Sequence, residues 1–152
     1  MKVALITAAM ALLFLSGCSS VPMTPVADSD EAKQFAAPKA GNSGLYIYRS
    51  GSLGGALKKD VWVDDKCIGE TAPNVFFYEE VLGDRDHKIT TESEFSPNHL
   101  IVKTESGKNY FVQQYIKLGL FVGGADLKLV DEAKGKTDIA DLGMAIKGHC
   151  SK

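Results

Sequence analysis

The chain has 152 residues, with 17 basic and 19 acidic side chains and a formal net charge of −2. Nucleic-acid backbones are held by clustered lysines and arginines, so this near-balance excludes a nucleic-acid-binding protein. The length fits one domain with a tail, and a chain that is 45% hydrophobic has enough apolar residues to build a buried core.

The N-terminus is predicted to be a signal peptide that ends at a cysteine. Lys2 supplies a positive charge, an apolar run extends from Val3 to Leu15, and two small residues precede Cys18. These are the features of a secretory signal, and the run is shorter than the roughly 20 residues of a membrane span. The segment 15–18 (Leu-Ser-Gly-Cys) resembles the lipobox of bacterial lipoproteins. That resemblance implies removal of residues 1–17 and lipidation of Cys18; a plain secretory signal with a chance cysteine is the alternative.

Residues 18–43 are predicted to be the lipidated cysteine followed by a flexible tether. Pro, Ser, Ala and Asp dominate this segment, and no apolar period persists in it. Asp28, Ser29 and Asp30 are candidate caps for a short helix from Asp30 to Ala37. No second apolar run approaches the length of a membrane span, so we expect the lipid to be the membrane attachment.

Residues 44–152 are predicted to form one mainly β domain. About eight short segments of alternating or aromatic character are separated by turn residues, which is typical of a sandwich or small barrel. They are residues 45–49, 60–64, 67–69, 75–81, 87–92, 100–104, 109–117 and 127–130. The segment 109–117 has apolar residues on both faces, which indicates a central position in a layered structure.

A short C-terminal helix is predicted to follow the strands. Ile139, Leu142 and Ile146 have the spacing of one helical face, with Thr137 as a candidate cap and Gly148 as a candidate stop.

Residues 61–73 (Val-Trp-Val-Asp-Asp-Lys-Cys-Ile-Gly-Glu-Thr-Ala-Pro) resemble the PEGA-type surface domain, in which a V-x-V-D-G turn precedes an I-G-x-T-P run. The chain departs from that motif at Asp65, which replaces the turn glycine, and at Ala72. The whole of residues 44–131 is similar to a family of small bacterial lipoproteins whose domain has no assigned function. The resemblance implies a single transthyretin-like or PEGA-like β-sandwich without catalytic residues.

The cysteines agree with export from the cytoplasm. If Cys18 is acylated, Cys67 and Cys150 remain as an even pair in an oxidising compartment, and we expect them to form a disulfide. A buried free Cys67 and a loose Cys150 near the terminus are the alternative. Neither residue has the spacing of a zinc site or a redox motif.

No catalytic, metal or cofactor motif is predicted. The segment 135–137 (Gly-Lys-Thr) lacks the preceding glycine of a phosphate-binding loop, and Thr137 is better explained as a helix cap. His87, His99 and His149 share no ligand spacing. We therefore expect no metal and no cofactor.

The segment 118–124 (Leu-Gly-Leu-Phe-Val-Gly-Gly) is apolar where a polar turn is expected between two strands. One interpretation is an extra strand or a bulged continuation of residues 109–117. The other is an interaction loop, in which Leu120, Phe121 and Val122 dock onto a partner protein or a lipid surface.

Together these features predict a lipid-anchored, non-enzymatic binding or scaffolding module. Ser19 follows the lipidated cysteine, which by the sorting rule for enteric lipoproteins implies the outer membrane, facing the periplasm. The expected partners are the membrane, through the lipid, and an envelope protein or cell-wall component, with no nucleic acid. A carbohydrate-active or hydrolytic protein is the alternative, with Tyr46, Tyr48 and Trp62 stacking on sugar rings.

Overall fold

Nine strands and two short helices make up the regular structure of residues 19–151, which are the residues that the computed structural model describes. Cys18 and the predicted signal peptide lie outside the described residues. In chain order the elements are α1 (Val26–Ala32), β1 (Asn42–Arg49), β2 (Lys59–Val63), β3 (Lys66–Thr71), β4 (Val75–Leu82), β5 (Asp86–Thr91), β6 (Asn98–Lys103), β7 (Asn109–Lys117), β8 (Gly124–Val130), α2 (Glu132–Ile139) and β9 (Gly143–Met144).

The strands form two sheets, with orders β8-β7-β1-β4-β9 and β3-β2-β5-β6. The connection between β2 and β3 is a tight hairpin turn. Asp64 and Asp65 there adopt φ values of 49° and 64°, a left-handed conformation that aspartate tolerates in tight hairpin turns. In the larger sheet β1 lies between β7, to which it is parallel, and β4, to which it is antiparallel.

Two buried clusters lie on opposite faces of the five-stranded sheet. The first takes side chains from both sheets, and the second lies under the two helices. On β7, Val112 belongs to the first cluster and Phe111 to the second, because successive side chains of a strand point to opposite faces. The prediction that residues 109–117 form a central strand with two apolar faces is therefore confirmed.

The segment before β1 packs onto the domain, which differs from the predicted flexible tether. Thr24 donates its backbone N–H to the carbonyl of Met144 at 2.9 Å, and Tyr46 donates its hydroxyl to the carbonyl of Ala32 at 2.8 Å. The Phe35 ring packs 5.2 Å from the ring of Tyr46. The ring of Phe35 and the backbone groups of Thr24 and Ala32 hold this polar segment on the domain. The composition of the segment does not indicate these contacts. The helix begins earlier than predicted, at Val26 directly after Pro25.

The C-terminal helix also differs from the prediction. It begins after Asp131, whose carboxylate accepts the N–H of Lys134 at 2.8 Å, so Asp131 rather than Thr137 is the cap. Residues 143–144 form β9, because the edge of β4 offers them backbone hydrogen-bonding partners. Ile139 and Leu142 are buried as expected, but the helix ends at Ile139, so Leu142 and the exposed Ile146 lie beyond it.

Candidate functional site

The connection between β7 and β8 is an exposed apolar loop. We call Leu118, Leu120, Phe121 and Val122 the apolar tip; their exposed fractions are 90%, 76%, 81% and 56%. Strand β7 ends at Lys117 and β8 begins at Gly124, so residues 118–123 do not continue either strand and the extra-strand interpretation is wrong. The structure thus presents Leu120, Phe121 and Val122 on one projecting loop.

Glu94 holds the apolar tip in one conformation. One oxygen of its carboxylate accepts the backbone N–H of Leu120 at 2.6 Å, and the other accepts those of Phe121 and of Val122, the latter at 3.2 Å. Desolvation raises the pKa of Glu94, but the three N–H donors outweigh it, so the pKa lies below its ordinary value. The loop is therefore preorganised by an ionised side chain that lies 26 to 28 residues earlier in the sequence.

Two neighbouring loops extend this apolar end of the domain. Phe95, which is exposed, lines a cleft of about 250 Å³ together with Leu118. A Cβ added at Gly123 would lie 2.6 Å from Leu57, so the loop of residues 51–57 packs directly against the base of the apolar tip. That loop carries a further exposed apolar side chain, Leu53. The three loops bring Leu53, Phe95 and the apolar tip to one end of the molecule.

The glycine-containing loop of residues 51–57 is fixed by Arg49. This buried guanidinium donates to the carbonyls of Leu57 and Gly54, each at 2.6 Å, and to that of Leu53 at 3.2 Å. Burial lowers the pKa of Arg49. A buried arginine gains most when several acceptors face its fork of donors, and this loop supplies three.

The first described residue is bound at the same end. Ser19 donates its backbone N–H to the carbonyl of Gly55 at 3.0 Å and its hydroxyl to the same carbonyl at 2.8 Å. Ser19 follows Cys18 directly in the sequence. The lipidation of Cys18 itself is a prediction that falls outside the described residues.

A second feature is the α1 cleft, of about 350 Å³, between α1 and the face of the larger sheet. It is lined by acidic and aromatic side chains and by small or apolar ones: Asp28, Glu31, Tyr46, Tyr78 and Glu80, together with Ala32, Ala36, Ala37 and Met144. A hydrogen bond from Asn42 lowers the pKa of Glu80, whereas burial raises that of Tyr46 and, together with Glu80, that of Tyr78 to about 12. At neutral pH the cleft therefore combines ionised Glu80 with tyrosines that keep their protons.

Cys67 and Cys150 are joined by a disulfide, with their Cα atoms 6.1 Å apart. The chain before Cys150 runs beside β3: Gly148 donates to the carbonyl of Ile68, and Glu70 donates to that of His149, each at 2.8 Å. The bond ties this terminal segment, which lies beyond α2, to the β2–β3 hairpin.

The aromatic residues considered for sugar stacking are mostly internal. Tyr46 and Tyr48 are buried in the cluster beneath the helices, and only Trp62 is partly exposed. His87 is buried, with one ring nitrogen 2.6 Å from the carboxylate of Asp64 and the other 2.7 Å from the carbonyl of Leu82. Among residues 19–151 no three potential ligands are grouped as in a metal site, and no helix is long and apolar enough to cross a membrane.

The sequence indicated the apolar tip but not the residues that order this end of the domain. Glu94 and Arg49 stand in stretches without any motif. The backbone N–H groups of a glycine-rich loop need hydrogen-bond acceptors. This requirement indicates that an acceptor such as a carboxylate lies nearby, but it does not identify the residue.

The chain is similar to proteins whose function has not been described. A protein of Haemophilus influenzae described as uncharacterized is 58% identical over 134 residues, which cover 88% of this chain and 79% of the relative. No solved structure matches. The model of the family described as "Protein of unknown function (DUF2846)" matches residues 39–125, more than half of the chain. The chain therefore belongs to the DUF2846 family.

Proposed function

We propose that the protein is a lipid-anchored lipoprotein of the bacterial cell envelope, placed at the periplasmic face of the outer membrane, and that it is a non-enzymatic binding or scaffolding module. The lipobox-like segment that ends at Cys18 supports the anchor. The disulfide between Cys67 and Cys150 suits an oxidising compartment, where such bonds persist.

The observation that carries the binding role is the chemistry of the α1 cleft. General acid–base catalysis at neutral pH works best with a group whose pKa lies near 7. The pKa values of Tyr46 and Tyr78 are raised and that of Glu80 is lowered, so these groups move away from neutrality. The three carboxylates that line the cleft, those of Asp28, Glu31 and Glu80, suit holding a partner that presents amino groups or other hydrogen-bond donors.

The alternative, a carbohydrate-active or hydrolytic protein, has less support. Stacking on a sugar ring requires an accessible aromatic face, and Tyr46 and Tyr48 are buried. Of the three proposed stacking residues, only Trp62 retains partial exposure.

We also propose that the two sheets are the layers of a single β-sandwich related to PEGA-type domains. Supporting this, the first buried cluster takes Ile47 and Val112 from the larger sheet and Val61 and Ile89 from the smaller one. The residues that resemble the PEGA motif begin in β2 and continue through β3.

The test is affinity purification of the full-length protein from crosslinked cell envelopes. Wild-type protein is compared with Glu31→Gln/Glu80→Gln, and Glu105→Gln, at the exposed Lys108 pair, is the matched control. We expect partners to be lost from the double variant alone. Equal recovery with all three proteins would contradict a binding role for the α1 cleft.

The anchor is tested separately by fractionation. Cys18→Ser should move the protein from the membrane fraction to the soluble periplasm, because several acyl chains together give stable anchoring. Unchanged detergent-phase partitioning of this variant would contradict lipidation at Cys18.

A further inference from the structure

We propose that the apolar end of the domain, made of Leu53, Phe95 and the apolar tip, lies against the phospholipid surface that holds the acyl chains of Cys18. The proposal rests on the lipid anchoring proposed above. It adds an orientation: one defined end of the domain contacts the bilayer directly. A flexible tether, by contrast, would let the domain rotate freely relative to the bilayer.

The path of the chain carries this inference. Adjacent Cα atoms are about 3.8 Å apart, so the Cα of Cys18 lies no farther than that from the Cα of Ser19. Ser19 in turn is hydrogen-bonded to the carbonyl of Gly55 at 3.0 Å. The loop that contains Gly55 packs through Leu57 against Gly123, at the base of the apolar tip. The anchor therefore leaves the domain beside the apolar end, with no spacer to hold that end away from the lipid.

The exposed side chains suit a lipid surface. The apolar tip has exposed fractions of 56% to 90%, and Phe95 and Leu53 on the adjoining loops are also exposed. Contiguous exposed apolar surface of this kind marks a site of contact with another protein or a membrane. The position of Ser19 favours the membrane, since the anchor brings lipid to this end in every molecule.

The backbone of the loop is prepared for an environment poor in water. Unpaired N–H groups are costly in lipid, where water is not available to bind them. The N–H groups of Leu120, Phe121 and Val122 are already donated to Glu94. The side chains can therefore enter the lipid interface while these three N–H groups keep their partner.

The docking contributes orientation more than attachment. A few apolar side chains bind a membrane weakly, and the acyl chains supply most of the affinity. Once the chain is anchored, contact of the loop with lipid is an intramolecular step with a high effective concentration. The lining of the α1 cleft, on the face of the larger sheet beside α1, shares no residue with the docked loops.

The test uses tryptophan fluorescence of the acylated full-length protein in vesicles of phosphatidylethanolamine and phosphatidylglycerol with brominated acyl chains. In a Trp62→Phe background, Phe121→Trp reports on the apolar tip. Leu82→Trp is the matched control, because Leu82 is exposed and pairs with Asn42, at the opposite end of β1 from Arg49. We expect a blue shift and quenching at position 121 and neither change at position 82.

A second measurement does not depend on the tryptophan background. The soluble Cys18→Ser protein should partition weakly into the same vesicles without bromine, and adding Phe121→Ser should reduce that partitioning about tenfold. Because Phe121 is exposed, its replacement should leave the melting temperature unchanged.

The outcomes separate the two proposals. If the protein floats with the vesicles but position 121 is no more quenched than position 82, docking is wrong and the anchor stands; a tip reserved for a partner protein would give this result. If the protein does not float and its mass shows no acyl group on Cys18, the proposed anchor is wrong, and the docking inference fails with it.

Discussion

Loss of the bond between Cys67 and Cys150 should lower stability by an amount that can be worked out from the chain. The two residues are 83 positions apart, so the bond closes a loop that includes most of the strands. The chain-entropy model assigns such a loop about 4–5 kcal/mol through restriction of the unfolded chain. With an unfolding entropy typical of about 135 residues, this corresponds to a fall in melting temperature of about 15 °C.

The assay is thermal unfolding of wild-type protein and of Cys67→Ala/Cys150→Ala, each with and without reductant. The variant should melt about 15 °C lower, and reductant should shift the wild type alone. Below the transition the variant should stay folded, since backbone hydrogen bonds also hold residues 148 and 149 beside β3. Alkylation of both thiols in unreduced wild-type protein, or a wild-type melting curve insensitive to reductant, would refute the reasoning.

The other predictions concern packing, loop order and pH. Gly135→Ala should lower the free energy of unfolding by about 1–3 kcal/mol despite the better helix propensity of alanine, because the new Cβ would lie 2.5 Å from Cδ1 of the buried Phe111. Calorimetry should show no such loss for Thr137→Ala, since Thr137 is exposed. A stabilised Gly135→Ala variant would contradict this packing. Glu94→Ala should speed hydrogen exchange at the amides of residues 120–122 without changing the melting temperature; unchanged exchange there would show that Glu94 does not order the apolar tip. Burial raises the pKa of Glu79, but hydrogen bonds from two lysines outweigh it and hold the pKa below its ordinary value of 4.5. The stability that this lowered pKa contributes is present above pH 4.5 and is lost as the pH falls through the folded-state pKa. Glu79→Gln should therefore reduce the fall of the melting temperature at acid pH. An unchanged fall of the melting temperature would contradict a role for the Glu79 carboxylate.

Local patterns accounted for most of the strands. Alternation and turn residues predicted eight strands near their observed positions, because a strand with a buried face must place its apolar side chains at every second residue. The alternation of residues 60–64 and the turn chemistry of Asp64 and Asp65 together indicate the hairpin. The ninth strand has two residues and carries no period, so only the free edge of β4 explains it.

The sequence by itself determined the mainly β domain and the apolar character of residues 118–124, and it predicts an export signal, since each depends on residues that are neighbours along the chain. Only the tertiary structure decided which of these segments contact one another. Glu94 reaches a loop 26 residues away, and Ser19 reaches a carbonyl 36 residues away. Contacts of this kind depend on which loops the sheets bring to the same end, and no local pattern encodes that. The apolar run thereby becomes an ordered surface beside Ser19, in a segment that composition had indicated to be a loose tether.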